Sequence, residues 1–277
     1  MEFAYFSRNG ELLPVRDAKV PLSLVEYSYG FGVYENIRYA GGALYFVDDH
    51  VERLLESART IELEHEFSAD FVRRGIQELL KANEPKACNV KILLIGGNTP
   101  SAAQLFILCL NPLFPDRKLY RDGAAVITVP YERAFPHAKT LNMLQSFLAY
   151  RKAKQAGAYD ALLVNRAGGI TEGTRTNFFV LKDSTIFSAP EPEILLGVTR
   201  KAMLMAASQA GFRLEYRNIA EGSWDEYDGA FITSTSSKIV PIRSVNGRMV
   251  YGVIAPELAR LMKVFGEFLE QSEGRLA

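Results

Sequence analysis

ALLVNRAGGITEGTRTNFFVLKD, residues 161–183, decides the reading of this chain. Apolar segments at 159–164 and 178–181, with a third at 185–188, are short runs bounded by turn residues and read as strands. Between the first two lies a turn rich in Gly and Thr that holds one carboxylate, Glu172. A carboxylate in a loop is ordinarily solvated, so what surrounds this one in the chain decides its meaning.

Upstream, PHAKTLN (136–142) puts Lys139 beside a helix start, just after a proline that ends an extended stretch. A lysine is by residue type a surface charge; its company singles this one out. Downstream, ILLGVTRKA (194–202) sets Gly197, Val198 and Thr199 at the opening of a helix. Backbone N–H groups without partners, the helix dipole and a hydroxyl make a phosphate cradle there. Thr199 reads equally as an N-cap.

Further out, residues 3–46 alternate apolar segments with the pairs Asn9-Gly10 and Gly41-Gly42, the pattern of antiparallel strands joined by tight hairpins. Asp48 and Asp49 are candidate caps for a helix carrying Val51, Leu54, Leu55, Ala58 and Ile61. A second helix runs through Phe71, Ile76, Leu79 and Leu80, followed by strands at 90–95 and 104–110. NPLFPDRKLY (111–120) interrupts both periodicities and marks a boundary. The expected domains are residues 1–111, a linker at 112–119, and a larger part, 120–277, that carries Lys139. This second part opens on strand AAVITV (124–129) and a helix with Leu144, Phe147 and Leu148 that ends near Gly157. A helix from Thr199 to before Gly211, strands GAFIT and KIVPI around Ser234–Ser237, a hairpin at Asn246-Gly247 and a helix from Pro256 complete it. The fold class is α/β of the α+β type.

At 277 residues the chain can bury roughly three quarters of its unfolded surface. Its 32 basic and 32 acidic residues balance, so no net field draws it to nucleic acid or to an anionic membrane. The opening MEFAYFSRNGELLP lacks the basic start and apolar core of a signal peptide, and no apolar run approaches the ~20 residues of a bilayer span. Cys88 and Cys109 each lie in an apolar stretch and read as buried thiols of a reducing cytoplasm, with a disulfide between them as the alternative. His50, His65 and His137 are too scattered for a metal site. YGFGVYE is no dinucleotide fingerprint, since the third glycine is missing and a strand follows.

Taken together, YGFGVYENIR (29–38), DDHVERLLESA (48–58), KTLN, the 161–183 stretch, ILLGVTR and the run from FITSTSSKIVPI to Asn246-Gly247 resemble the class IV aminotransferases. That family contains branched-chain aminotransferases, D-amino acid transaminases and aminodeoxychorismate lyases, and the resemblance covers nearly the whole chain. It implies a two-domain fold-type IV enzyme with pyridoxal 5'-phosphate (PLP) in the cleft between domains, in a homodimer whose partner helps close the site. By the same resemblance Lys139 is the Schiff-base lysine and proton carrier, and Glu172 is the partner of the pyridine nitrogen. Arg53, Val198, Thr199 and Thr235 hold the phosphate, and Tyr29 and Tyr34 line the substrate side. A carboxylate against the ring nitrogen favours the pyridinium, which keeps the ring an electron sink.

Substrate choice is less uniform. D-amino acid transaminases show arginine and then histidine after the strand at 90–95, where this chain has GGNTPS; branched-chain enzymes carry tyrosine and arginine where it has Asn89 and Lys91. Lys91 matches the lyases, Arg38 the branched-chain pattern, and the loop Ser234–Ser237, with Ser236 on the substrate side, the D-amino acid transaminases. Arg38 lies at even spacing from Tyr34, so both face one side of a strand, and Arg38 with Lys91 is expected to anchor the substrate carboxylate. The expected activity is transamination between a small amino acid and a 2-keto acid, with branched-chain-like L-substrates ahead. D-amino acid transamination and the PLP-dependent lyase reaction are the alternatives. A binding-only relative is the third, against which the intact Lys139 and Glu172 pair speaks.

Overall fold

The computed structural model describes residues 3–112 and 115–273, the side chains of 272 and 273 excepted. Backbone packing divides them into two units. One takes in 3–112 and 137–143, the other 115–136 and 144–271.

In the first unit, β1 (Tyr5–Arg8) and β2 (Glu11–Pro14) form a hairpin whose turn residues Asn9 and Gly10 have φ of 50° and 86°. Two successive left-handed residues are what a two-residue hairpin of matching twist demands. The short helix α1 (Val25–Ser28) precedes β3 (Gly32–Ala40), which turns through Gly41-Gly42 into β4 (Ala43–Leu44). Helices α2 (Val47–Thr60) and α3 (Ala69–Asn83) follow, then β5 (Ala87–Ile95) and β6 (Gln104–Leu110). The strands make one antiparallel sheet in the order β2-β1-β6-β5-β3-β4. Val33 and Ile37 of β3 and Val90, Ile92 and Leu94 of β5 form a core with Val51, Leu54 and Ala58 of α2 and Val72, Ile76 and Leu79 of α3. Strand alternation sends the residues between them to the opposite face.

Two expectations need correction in this unit. The cap of α2 is Phe46, in the left-handed region at φ 53°, while Asp48 and Asp49 lie inside the first turn, where their charge meets the positive end of the helix dipole. Residues 137–143, expected in the C-terminal part, pack with the first unit. Leu141 donates its N–H to the Gly32 carbonyl (2.8 Å) and Tyr34 donates to the Lys139 carbonyl (2.9 Å), so this segment extends the edge of β3.

The second unit begins earlier than the expected linker allows. Asp116 caps α4 (Arg117–Asp122) by accepting from the Lys118 N–H at 2.9 Å, which makes the later half of 112–119 helical; residues 113 and 114 lie outside the described residues. After it come β7 (Ala124–Pro130), α5 (Leu144–Gln155), β8 (Asp160–Val164), β9 (Ile170–Gly173), β10 (Asn177–Lys182) and β11 (Thr185–Ser188). The remainder is α6 (Val198–Gln209), β12 (Arg213–Tyr216), β13 (Gly229–Ser234), β14 (Lys238–Val245), β15 (Arg248–Met249) and α7 (Pro256–Glu273). The sheet order is β12-β11-β10-β13-β14-β7-β8-β9, and Asn177 pairing with Glu172 joins β9 back to β10. The strands from β10 to β9 thus close into a ring around Val126, Leu162, Ile170, Phe178, Ile232 and Val240. On α5 the expected apolar stripe is not the buried one: Leu144 and Phe147 are 63 % and 55 % exposed. The small Ala149 and Ala153 face the sheet instead, which lets the helix close onto Ala161 and Leu163.

Candidate active site

In the first unit the segment 137–143, bridged to β3 at Val33 and Thr140, fixes Lys139. Its N–H donates to the buried Ser57 Oγ of α2 at 3.1 Å, and its Nζ stands 4.5 Å from the centre of the Tyr34 ring. β3 and β5 pair with Asn36 opposite Lys91 and Arg38 opposite Asn89, which puts Tyr34, Asn36, Arg38, Asn89 and Lys91 on one face of the sheet. Lys91 Nζ lies 5.4 Å from the same Tyr34 ring, and the Arg38 guanidinium 5.2 Å from Tyr45. Tyr29 stands on the surface, 76 % exposed.

On the helix-covered face of β3 sits Glu35, fully buried. Arg53 of α2 donates Nε–H to Oε1 (2.6 Å) and Nη2–H to Oε2 (2.8 Å), and His50 Nδ1 lies 2.7 Å from Oε2. Arg53 is therefore no solvated charge; its side chain is 13 % exposed. Burial alone would raise the Glu35 carboxyl, but the Arg53 charge and the hydrogen bonds from Arg53 and His50 hold it below the usual carboxylate range. Burial pushes the His50 imidazole down, against the pull of Glu35. An ionised carboxylate only accepts, so Nδ1 carries the hydrogen.

In the second unit Glu172 is the next-to-last residue of β9, with a carboxylate 2 % exposed. Oε1 pairs with Arg133 Nε at 2.6 Å and Oε2 accepts the Leu195 N–H at 3.2 Å. Arg133 also donates from Nη2 to the Thr174 carbonyl at 3.3 Å. Asn177, across the turn, donates Nδ2–H to the Leu195 carbonyl at 2.7 Å. These bonds fix the approach to α6, which starts at Val198 on a Gly197 cap. A Cβ on Gly197 would lie 2.1 Å from Asn177 Oδ1, so only glycine fits. Thr199 is then the second residue of the helix rather than its cap, and its Oγ1 lies 3.4 Å from Thr235 Oγ1. The turn with Thr235 and the half-buried Ser236 is pinned by Ser234 Oγ to Ser237 Oγ at 2.6 Å and by Tyr120, whose hydroxyl donates to the Ser237 carbonyl at 3.0 Å.

These residues suit PLP unit by unit. The α6 N-terminus, capped by a residue without a side chain and flanked by two hydroxyls, matches a phosphate; a buried carboxylate held by an arginine matches a protonated ring nitrogen; a lysine amine matches an aldehyde. Glu35, His50 and Arg133 support these residues and escaped sequence reading. A run of DDHVE or PYERAF reads as solvated charge until strand register places it. Among the described residues no group of acidic, His and Cys side chains could hold a metal, no helix is long and apolar enough to cross a membrane, and Cys88 and Cys109 are free and buried.

Comparison with known proteins agrees with this chemistry. The profile of the family described as amino-transferase class IV matches residues 32–245. The D-alanine aminotransferase of Bacillus licheniformis is 29% identical over 251 residues, 87% of this chain and 88% of that protein. A putative branched-chain-amino-acid aminotransferase of Methanocaldococcus jannaschii is 27% identical, covering 92% of both. Among solved structures, the branched-chain amino acid aminotransferase of Escherichia coli superposes with a TM-score of 0.88 at 25% identity, over 96% of this chain and 95% of that one. The fold is that of the fold-type IV branched-chain enzymes.

Proposed function

Because this chain belongs to the class IV aminotransferase family, enzymes that work through PLP, we propose that it moves the amino group of a small amino acid to a 2-keto acid, with branched-chain-like L-amino acids as preferred donors. The observation that carries this reading is the Lys139 amine 4.5 Å from Tyr34, on the sheet whose Tyr34 face also bears Arg38 and Lys91. When bound, PLP supplies an electron sink for the pair left when a substrate Cα–H bond breaks. Lys139 would hold its aldehyde carbon and, once displaced by the incoming amine, carry the proton. Glu172 would meet the ring nitrogen, while Val198 and Thr199 at the helix start, Thr235 and Arg53 would bind phosphate. Arg38 and Lys91 would set the direction of the substrate carboxylate, so that one Cα–H bond is presented. Tyr29, Tyr34 and Ser236 would line the substrate.

A second reading, transamination of D-alanine-like substrates, is favoured by the loop Ser234–Ser237 and by the Bacillus relative. Lys91 is the feature that favours an aminodeoxychorismate lyase. Assay of L- and D-amino acids against several keto acids, with chiral analysis of products, tests the proposal. Turnover of L-valine or L-leucine well above D-alanine is expected. Strict D-selectivity, or pyruvate release from aminodeoxychorismate without transamination, would replace the reading. The protein is further proposed to act in the cytoplasm, where two free thiols persist, and as a homodimer. Leu22 (101 % exposed), Val25 (46 %) and Tyr27 (47 %) form an apolar stretch for the second copy to cover; light scattering at monomer mass would remove the dimer.

A further inference from the structure

Asp160, the first residue of β8, is 1 % exposed and touches none of the groups assigned above to cofactor or substrate. Its Oδ1 accepts from the Thr174 hydroxyl and from the Ala161 N–H (2.8 Å), and its Oδ2 accepts from the Thr176 hydroxyl at 2.9 Å. Thr174 and Thr176 stand on the turn that separates Glu172 from Asn177. Within that turn Gly173 donates to the Thr176 carbonyl at 2.8 Å, and Thr174 donates to the Ala161 carbonyl at 3.0 Å. A Cβ on Gly173 would lie 2.0 Å from Thr176 Oγ1 and 2.7 Å from Asp160 Oδ2, so the turn is packed directly onto the carboxylate.

We propose that Asp160 is a positioning residue for Glu172: by gathering both threonine hydroxyls it stiffens the 173–176 turn and so fixes the direction in which the Glu172 carboxylate points. This rests on the reading of Glu172 as the partner of the cofactor's ring nitrogen. The demand for direction is physical. A hydrogen bond weakens steeply as its angle opens and its length grows, and a supporting group that is loose by about 1 Å leaves a site present but ineffective. Asparagine would not substitute, because it replaces one acceptor oxygen by a donor where two hydroxyls and an amide arrive as donors.

The test uses holoenzyme loaded with PLP labelled with ¹⁵N in the ring, whose resonance reports protonation of that nitrogen. Asp160→Asn should move the resonance part of the way toward the unprotonated limit, as Glu172→Gln moves it fully. It should also slow the half-reaction about tenfold or more, the scale seen when a group that orients an active-site ligand is removed. Because Asp160 acts through Glu172, the double variant should match Glu172→Gln alone. A wild-type resonance in Asp160→Asn, with only a lowered melting temperature, overturns the proposal, as does a double variant clearly worse than Glu172→Gln. If Glu172→Gln itself keeps the wild-type resonance, the reading of Glu172 has failed and the inference falls with it. Should Asp160→Asn not accumulate as folded protein, Thr176→Val, which deletes one donor, decides: a smaller shift in the same direction supports the proposal and an unmoved resonance overturns it.

Discussion

Glu35 in the first unit and Asp160 in the second are both carboxylates sunk out of reach of water, 0 % and 1 % exposed, yet they are satisfied by opposite means. Glu35 is met by a guanidinium through two hydrogen bonds and by an imidazole. The contacts of Asp160 are two hydroxyls and a backbone amide, all neutral. The kind of partner sets what each carboxylate can hold in place. Opposite charge orders one long side chain, Arg53, whose fork would otherwise cost rotamer entropy to place. Neutral donors order a backbone turn, since the threonines that supply them are themselves part of the turn.

The contrast is broken most directly at its charged end. Glu35→Ala leaves the largely covered Arg53 without this counter-charge, and loss of one partner of a buried pair costs about 3–5 kcal/mol; denaturant unfolding of the apo-protein should show a loss toward the lower end of that range. Asp160→Ala strands two hydroxyls and an amide, so the same measurement should give about 2–3 kcal/mol. If Asp160→Ala were the costlier change, charge would not be what distinguishes the two sites.

Acid sharpens the contrast further. The folded-state affinity of Glu35 for a proton is depressed, so its contribution is complete above the ordinary carboxylate range and is lost as pH falls through its lowered value. His50 is depressed too. The unfolded chain takes up that proton as pH falls through about 6.5 while the folded chain does not, so stability drains on the acid side of neutrality, by at most about 1.4 kcal/mol per pH unit for one group. Thermal melts of apo-protein between pH 7 and 5 should therefore slope downward with falling pH, and His50→Gln should flatten part of that slope. Part only, because burial lowers His65 in the same direction. An unchanged slope would mean that His50 is not held neutral. The smallest effect is expected at Ser57→Ala, which deletes one hydrogen bond to the Lys139 N–H and should cost about 0.5–1.5 kcal/mol in the same melts.

Much of the second unit was legible in the chain, because its strands and turns announce themselves locally. Gly197 before Val198 and Thr199 marks a helix start, and the structure adds only why no other residue fits there. In the first unit the hairpins at Asn9-Gly10 and Gly41-Gly42 were equally plain, while the cap of α2 was not. Phe46 occupies a conformation that its side chain disfavours, and tertiary packing overrides the two aspartates that local preference would choose. The groups behind the site stayed hidden for a different reason. Arg133 meets Glu172 from 39 residues away and Glu35 meets Arg53 from 18. Such pairings depend on strand register and helix placement, which no local pattern specifies. Even spacing put Tyr34 and Arg38 on one face of β3, but only the register with β5 sets Asn36 opposite Lys91.

The segment that carries Lys139 bears on how this chain can be cut. Residues 137–143 leave the second half of the sequence, add themselves to β3, and return. An N-terminal fragment ending near residue 112 would thus lack an edge of its own sheet, and the complementary fragment would carry the lysine with no strand to receive it. Severed near residue 112, the halves are expected to regain a fixed lysine only when mixed, the first serving as template for a segment it does not encode.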